Sequence, residues 1–145
     1  MKKIDSQEDL DVFVSIPDWA DAFVRECYIL SPSYIYSIST GVFAPDALPT
    51  LKVLICTQDI ECPGIELMFV EIENIVLIFN CDMCPNGKYH NNHLDFSFSQ
   101  ATGSAFRCKE MYYRILDQKC WDTTIRYGKE NFYTEEGFLE FQHFK

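Results

Sequence analysis

A mainly β domain, an antiparallel β-sandwich or a strongly curved sheet with one or two short helices, is the fold class this sequence predicts. Three observations carry it. Aromatic residues make up 15% of the chain, and Phe, Tyr and Trp suit pleated, half-buried surfaces. Apolar residues recur at every second position in several short runs. No run keeps an apolar stripe at helical spacing beyond about ten residues.

In chain order, Pro17 with Asp18 and Asp21 suits the start of a short helix over residues 17–23, because proline fits a first turn and acids fit the positive end of the dipole. Residues 24–30 and 34–39 are β-branched or aromatic around Ser31, Pro32 and Ser33, which predicts a hairpin. Gly41, Pro45 and Pro49 make residues 40–50 a loop. Residues 51–57 form a strand, and residues 58–64 turn the chain into the clearest one, with Ile65, Leu67 and Phe69 on the inner face and Glu66, Met68 and Val70 on the other. Ile75, Leu77 and Phe79 read as a central strand buried on both faces. Leu94, Phe96 and Phe98 alternate with polar Asp95, Ser97 and Ser99. Residues 105–116 continue the pattern, with a change of phase at Lys109 and Glu110 that calls for a bulge or bend. Residues 123–127 are a last short strand, and residues 134–141 fit either a capped helix or a strand.

The 145 residues are enough for one hydrophobic core, and 48% hydrophobic with 23% charged residues argues for an ordered single domain over residues 1–145. No apolar segment of secretory or membrane-spanning length is present, so the expectation is a cytoplasmic chain with no membrane role. Seven cysteines, Cys27, Cys56, Cys62, Cys81, Cys84, Cys108 and Cys120, lack a regular framework and read as reduced thiols. Cys27, Cys56 and Cys108 lie within β-patterned runs, where a thiol behaves as a small hydrophobe.

The net charge is -10, which opposes binding to nucleic acid and favours a basic protein partner. Tyr112, Tyr113 and Tyr127 interleave with Arg107, Arg114 and Arg126 as they would in a stacking surface, but core packing explains the same pattern. The acids concentrate in the middle of the chain. Asp46, Asp59, Glu61, Glu66, Glu71, Glu73 and Asp82 have only Lys52 among them as a base, whereas residues 105–130 are rich in Arg and Lys. Asp59, Glu61, Glu66, Glu71, Glu73 and Asp82 are the candidate binding residues, an acidic face on which a basic protein would dock. Solvation of exposed strands explains the same acids without a partner.

One segment has metal-like composition. Cys81, Cys84, His90 and His93 read C-x2-C-x5-H-x2-H, two thiolates and two imidazoles for a zinc ion or a small-ligand site. Asn86-Gly87 inside it is also a hairpin signal that explains the segment with no metal, and the sequence calls for no cofactor. Catalytic signatures are missing: there is no G-x-S-x-G, phosphate loop, G-x-G-x-x-G or H-E-x-x-H. A Cys84 and His93 pair could act as nucleophile and base only if the loop held it rigidly, so the expectation is a non-enzyme.

The succession of residues 21–32, then strand pairs around residues 51–56 and 64–79, resembles small acidic bacterial β-rich proteins, some of them similar to immunity proteins of contact-dependent or polymorphic toxin systems. That resemblance implies a stoichiometric inhibitor of a basic toxin, with no catalytic residues.

Overall fold

The computed structural model describes residues 1–20, 22–30, 48–57, 61–76, 83–99 and 104–116. Within them the chain forms β1 (Lys2–Ile4), α1 (Gln7–Ser15), β2 (Phe23–Leu30), β3 (Thr50–Cys56), β4 (Gly64–Glu73), β5 (Asn86–Tyr89), β6 (Leu94–Ser99) and β7 (Ser104–Leu116). The strands make one open antiparallel sheet in the order β2-β3-β4-β7-β6-β5. β1 pairs with the stretch of β7 around Tyr112, on the side away from β4 and in line with β6. The fold is therefore the single-sheet form of the expected mainly β class.

The helix differs from expectation in place. Ser6 caps α1: its hydroxyl oxygen accepts from Asp9 N at 3.1 Å and donates to the Asp9 carboxylate at 2.9 Å. The Asp9 carboxylate also accepts from Asp5 N, one residue before the cap, and Glu8 and Asp9 sit where the dipole favours acids. Leu10 and Phe13 point into the core. Ile16 is the C-cap, so Pro17 follows the helix and ends it rather than starting one over residues 17–23.

One face of the sheet packs Leu51, Val53, Ile55, Ile65, Leu67 and Phe69 against the helix side of the core. Phe69, Phe96, Phe98 and Phe106 cluster there, with Phe69 and Phe106 edge-to-face at 4.7 Å. Phe13 on α1 meets Tyr113 on β7 at 4.9 Å. The phase of burial changes along β7, where Met111 and Cys108 are both core residues with Lys109 and Glu110 between them. The same change occurs opposite on β4, between core residues Phe69 and Ile72. Glu71 takes a left-handed φ of 53° at that point, a conformation L-residues seldom adopt, and the two strands turn over together without losing register.

The second face of β3 and β4 is also closed to solvent around Lys52 and Glu66. Lys52, Leu54, Glu66 and Met68 are 1% exposed or less, so β4 is not the half-wet strand its alternation suggests. Glu66 lies directly opposite Arg114 and diagonal to Lys52, and it forms ion pairs with both. Desolvating an ion costs several kcal/mol, so a fully buried carboxylate is tolerable only with both oxygens engaged.

Asn86-Gly87 is not a turn. Gly87 lies in β5, where an added Cβ would come within 2.6 Å of the Asp95 carbonyl oxygen and 3.2 Å of Leu10. The glycine allows the close approach of α1 to the sheet, and the hairpin turns instead at residues 90–93. Ile75 follows β4 outside any strand. The expected elements at residues 34–39, 77–79, 123–127 and 134–141 lie outside the described residues.

Glu66→Gln is expected to destabilise the protein by about 3–5 kcal/mol in denaturant unfolding, because it withdraws the buried negative charge that lies between the Lys52 ammonium and the Arg114 guanidinium. The double change Lys52→Met, Glu66→Met is expected to recover most of that loss. A Glu66→Gln protein within about 1 kcal/mol of the parent would refute a structural role for the pair.

Candidate functional site

Beyond the phase change, the outer face of the sheet carries charges in cross-strand register. Lys88 on β5 faces Asp95 on β6, Asp95 faces Arg107 on β7, and Arg107 faces Glu73 on β4, giving alternating signs across four strands. Arg107 Nε donates to Asp95 Oδ1 at 2.8 Å and Nη2 to Oδ2 at 3.4 Å. The guanidinium holds the Asp95 carboxyl below the usual carboxylate range. Next to this row, Lys109 Nζ donates to Glu71 Oε1 at 2.8 Å. Two clefts flank Arg107. One, of about 510 Å³, is lined by Asn74, Asn86, Lys88 and Phe106; the other, of about 400 Å³, by Glu73, Asn92, His93 and Lys109.

The hairpin between β5 and β6 closes where His90 N donates to the His93 carbonyl at 2.8 Å. The two imidazoles stack with centroids 4.3 Å apart and planes at 17°. His93 and Asp95, two residues apart, project to the same side. His90 Nε2 lies 3.2 Å and His93 Nε2 3.9 Å from Asp95 Oδ2. His93 Nδ1 donates to Asn92 Oδ1 at 2.9 Å, a bond that leaves Nε2 as the nitrogen with a lone pair.

The expected acidic face is not assembled among the described residues. Glu66 is buried between Lys52 and Arg114 and is out of reach of any partner. Glu71 is neutralised by Lys109, and Glu73 sits opposite Arg107. Glu61 is exposed just before β4, at the other end of that strand from Glu73 and roughly 30 Å away at strand rise. Asp59 and Asp82 lie outside the described residues.

The four-ligand zinc set fares no better as a unit. Cys84 N donates to the Phe98 carbonyl, which places Cys84 five residues along β6 from His93, roughly 17 Å at about 3.3 Å per residue. Cys84 therefore shares no site with the histidines, either as a metal ligand or as a nucleophile, and Cys81 lies outside the described residues. Asp95 takes its place beside them. The sequence carries Asp95 only two residues beyond His93, but as a polar position in an ordinary strand. Tyr112 and Tyr113 are buried, which removes them from any stacking surface for nucleic acid.

Cys27, Cys84 and Cys108 are free thiols, and they differ sharply in environment. Burial, helped by the nearby acids Asp95 and Glu110, pushes the Cys108 thiol up to about 12, whereas Cys84 is exposed. Alkylation of the native protein near neutral pH, mapped by peptide mass, is therefore expected to label Cys84 early and Cys108 only on unfolding. Early labelling of Cys108 would contradict its place in the core.

Among the described residues no helix is long and apolar enough to cross a membrane. The chain matches no protein-family model, no curated protein and no solved structure.

Proposed function

We propose that this chain is a non-catalytic protein-binding module, a stoichiometric partner of a basic protein in the manner of the immunity-type inhibitors it resembles. The observation that carries this is the row Lys88, Asp95, Arg107 and Glu73, open to solvent between two clefts and mounted on paired strands. Such a row is a register-specific recognition surface: a partner displaced by one strand spacing would set like charges against each other, at a cost of several kcal/mol.

Two scales of charge divide the work. The net charge of -10 supplies a long-range field that draws a basic partner, while the alternating row determines how it docks. Arginine supports a role at the centre of the contact, since its planar fork makes directional bonds and it is enriched among residues that dominate interface energies. The rigid scaffold beneath it limits the entropy lost on binding.

The test starts from the partner retained when the protein is purified from its own host, followed by titration calorimetry of the reconstituted pair. Arg107→Glu places three acids side by side across β6, β7 and β4 and is expected to weaken binding at least tenfold, about 1.4 kcal/mol. Val12→Ser, an exposed change on α1, is the control and is expected to leave affinity unaltered. Association is expected to slow as salt rises. Unchanged affinity in Arg107→Glu would remove this face from the interface, and a rate indifferent to salt would remove the basic partner.

A further inference from the structure

We propose that His90, His93 and Asp95 form a binding site for a single zinc ion at the tip of the β5–β6 hairpin, with no thiolate ligand. The three side chains each offer one donor atom, and those atoms all lie within 4.8 Å of one another. Zinc binds imidazole nitrogen and carboxylate oxygen at about 2.0–2.2 Å, so tetrahedral ligands stand about 3.4 Å apart. The separations of 3.2 Å and 3.9 Å from Asp95 Oδ2 to the two Nε2 atoms bracket that spacing.

Two further observations point to a ligand rather than to a chance polar cluster. Among the described residues, His90 Nε2 is shielded from solvent and makes no hydrogen bond despite lying 3.2 Å from the Asp95 carboxylate, an arrangement that a metal between the two would satisfy. The groups around the site are arranged as outer partners of metal ligands are. His93 Nδ1 donates to Asn92 Oδ1, which selects the tautomer with a metal-binding Nε2, and Arg107 binds Asp95 chiefly through Oδ1 at 2.8 Å, with a longer 3.4 Å bond to the Oδ2 that faces the histidines. The stacked rings must fan apart for both lone pairs to meet one ion. Side chains 33% and 24% exposed at a hairpin tip have room to do so.

Two imidazoles and one carboxylate are borderline donors that suit zinc better than calcium or magnesium, which prefer all-oxygen sets. Water completes the tetrahedron, on the side of the cleft that Asn92, His93 and Arg107 line. Glu73, opposite Arg107, offsets the positive charge that the guanidinium brings near the ion. Zinc would cross-link the two ends of the loop and fix the outward pose of Asp95.

The test is titration of the metal-free full chain with zinc against a chromophoric chelator, with cobalt as a spectroscopic substitute. The expected result is one equivalent of zinc per chain and a cobalt spectrum without the intense near-ultraviolet band of thiolate ligation. His90→Ala and His93→Ala should each weaken binding by more than the roughly 10- to 100-fold that loss of an outer hydrogen-bond partner costs, and Asn92→Ala by about that amount. Cys84→Ser should bind as the parent does. Histidine ring resonances followed by NMR in the unmodified protein report the same ligation without relying on variants. Absence of saturable uptake, a thiolate band, binding unaffected by the histidine changes, or loss of binding in Cys84→Ser would each overturn the proposal.

Discussion

The ion-paired carboxylate of Glu66 is the constraint on which the rest of the sheet depends. It lies in the middle strand of three, fully buried, with a cation on each side. Slipping β3 or β7 by one residue would turn Lys52 or Arg114 into the apolar layer of Leu67 and Phe69 and leave Glu66 with one partner. Hydrophobic burial alone tolerates such slips more readily, because Leu, Ile and Val substitute for one another at modest cost. The charged trio therefore contributes register, and register sets which side chains of β4 and β7 reach the surface.

From there the outer face follows. Because β4 and β7 turn over together at Glu71 and Lys109, the residues beyond that point exchange faces in both strands at once. Arg107 and Glu73 come out where a strictly alternating continuation would have buried them. The outward position of the charged pair Arg107 and Glu73 thus follows from a backbone irregularity, which is a common way for a regular sheet to re-aim a few side chains.

Much of this was legible in the sequence. The two-residue period located β3, β4, β6 and most of β7, and it marked Lys109 and Glu110 as the break. The signal for α1 was also present, as Ser6 followed at the third position by Asp9 with Leu10, Phe13 and Val14 on one stripe, but Pro17 with Asp18 and Asp21 drew the helix to residues 17–23. Other features were not legible, because they depend on distant partners. Asn86-Gly87 has turn composition, and only the approach of Leu10 and the Asp95 carbonyl shows that the glycine serves packing. Glu66 looks like any exposed strand acid until Lys52 and Arg114 are set beside it. Asp95 joins the histidines through the hairpin fold, whereas Cys84, which the spacing of Cys and His favours, is carried to the far end of the ladder.

The pairing of β1 with β7 also bears on how the protein is made. Lys2 faces Tyr113, so β1 forms its sheet contacts with a strand made more than a hundred residues later. At translation rates of about 5–20 residues per second, the N-terminal segment waits on the order of ten seconds for its strand partner to be synthesised. The ion-paired trio Lys52, Glu66 and Arg114 draws on β3, β4 and β7 and is likewise incomplete until β7 exists. Assembly is then closer to a single late condensation than to a gradual build-up from the N-terminus, and the nascent chain must keep its aromatic strands soluble until then.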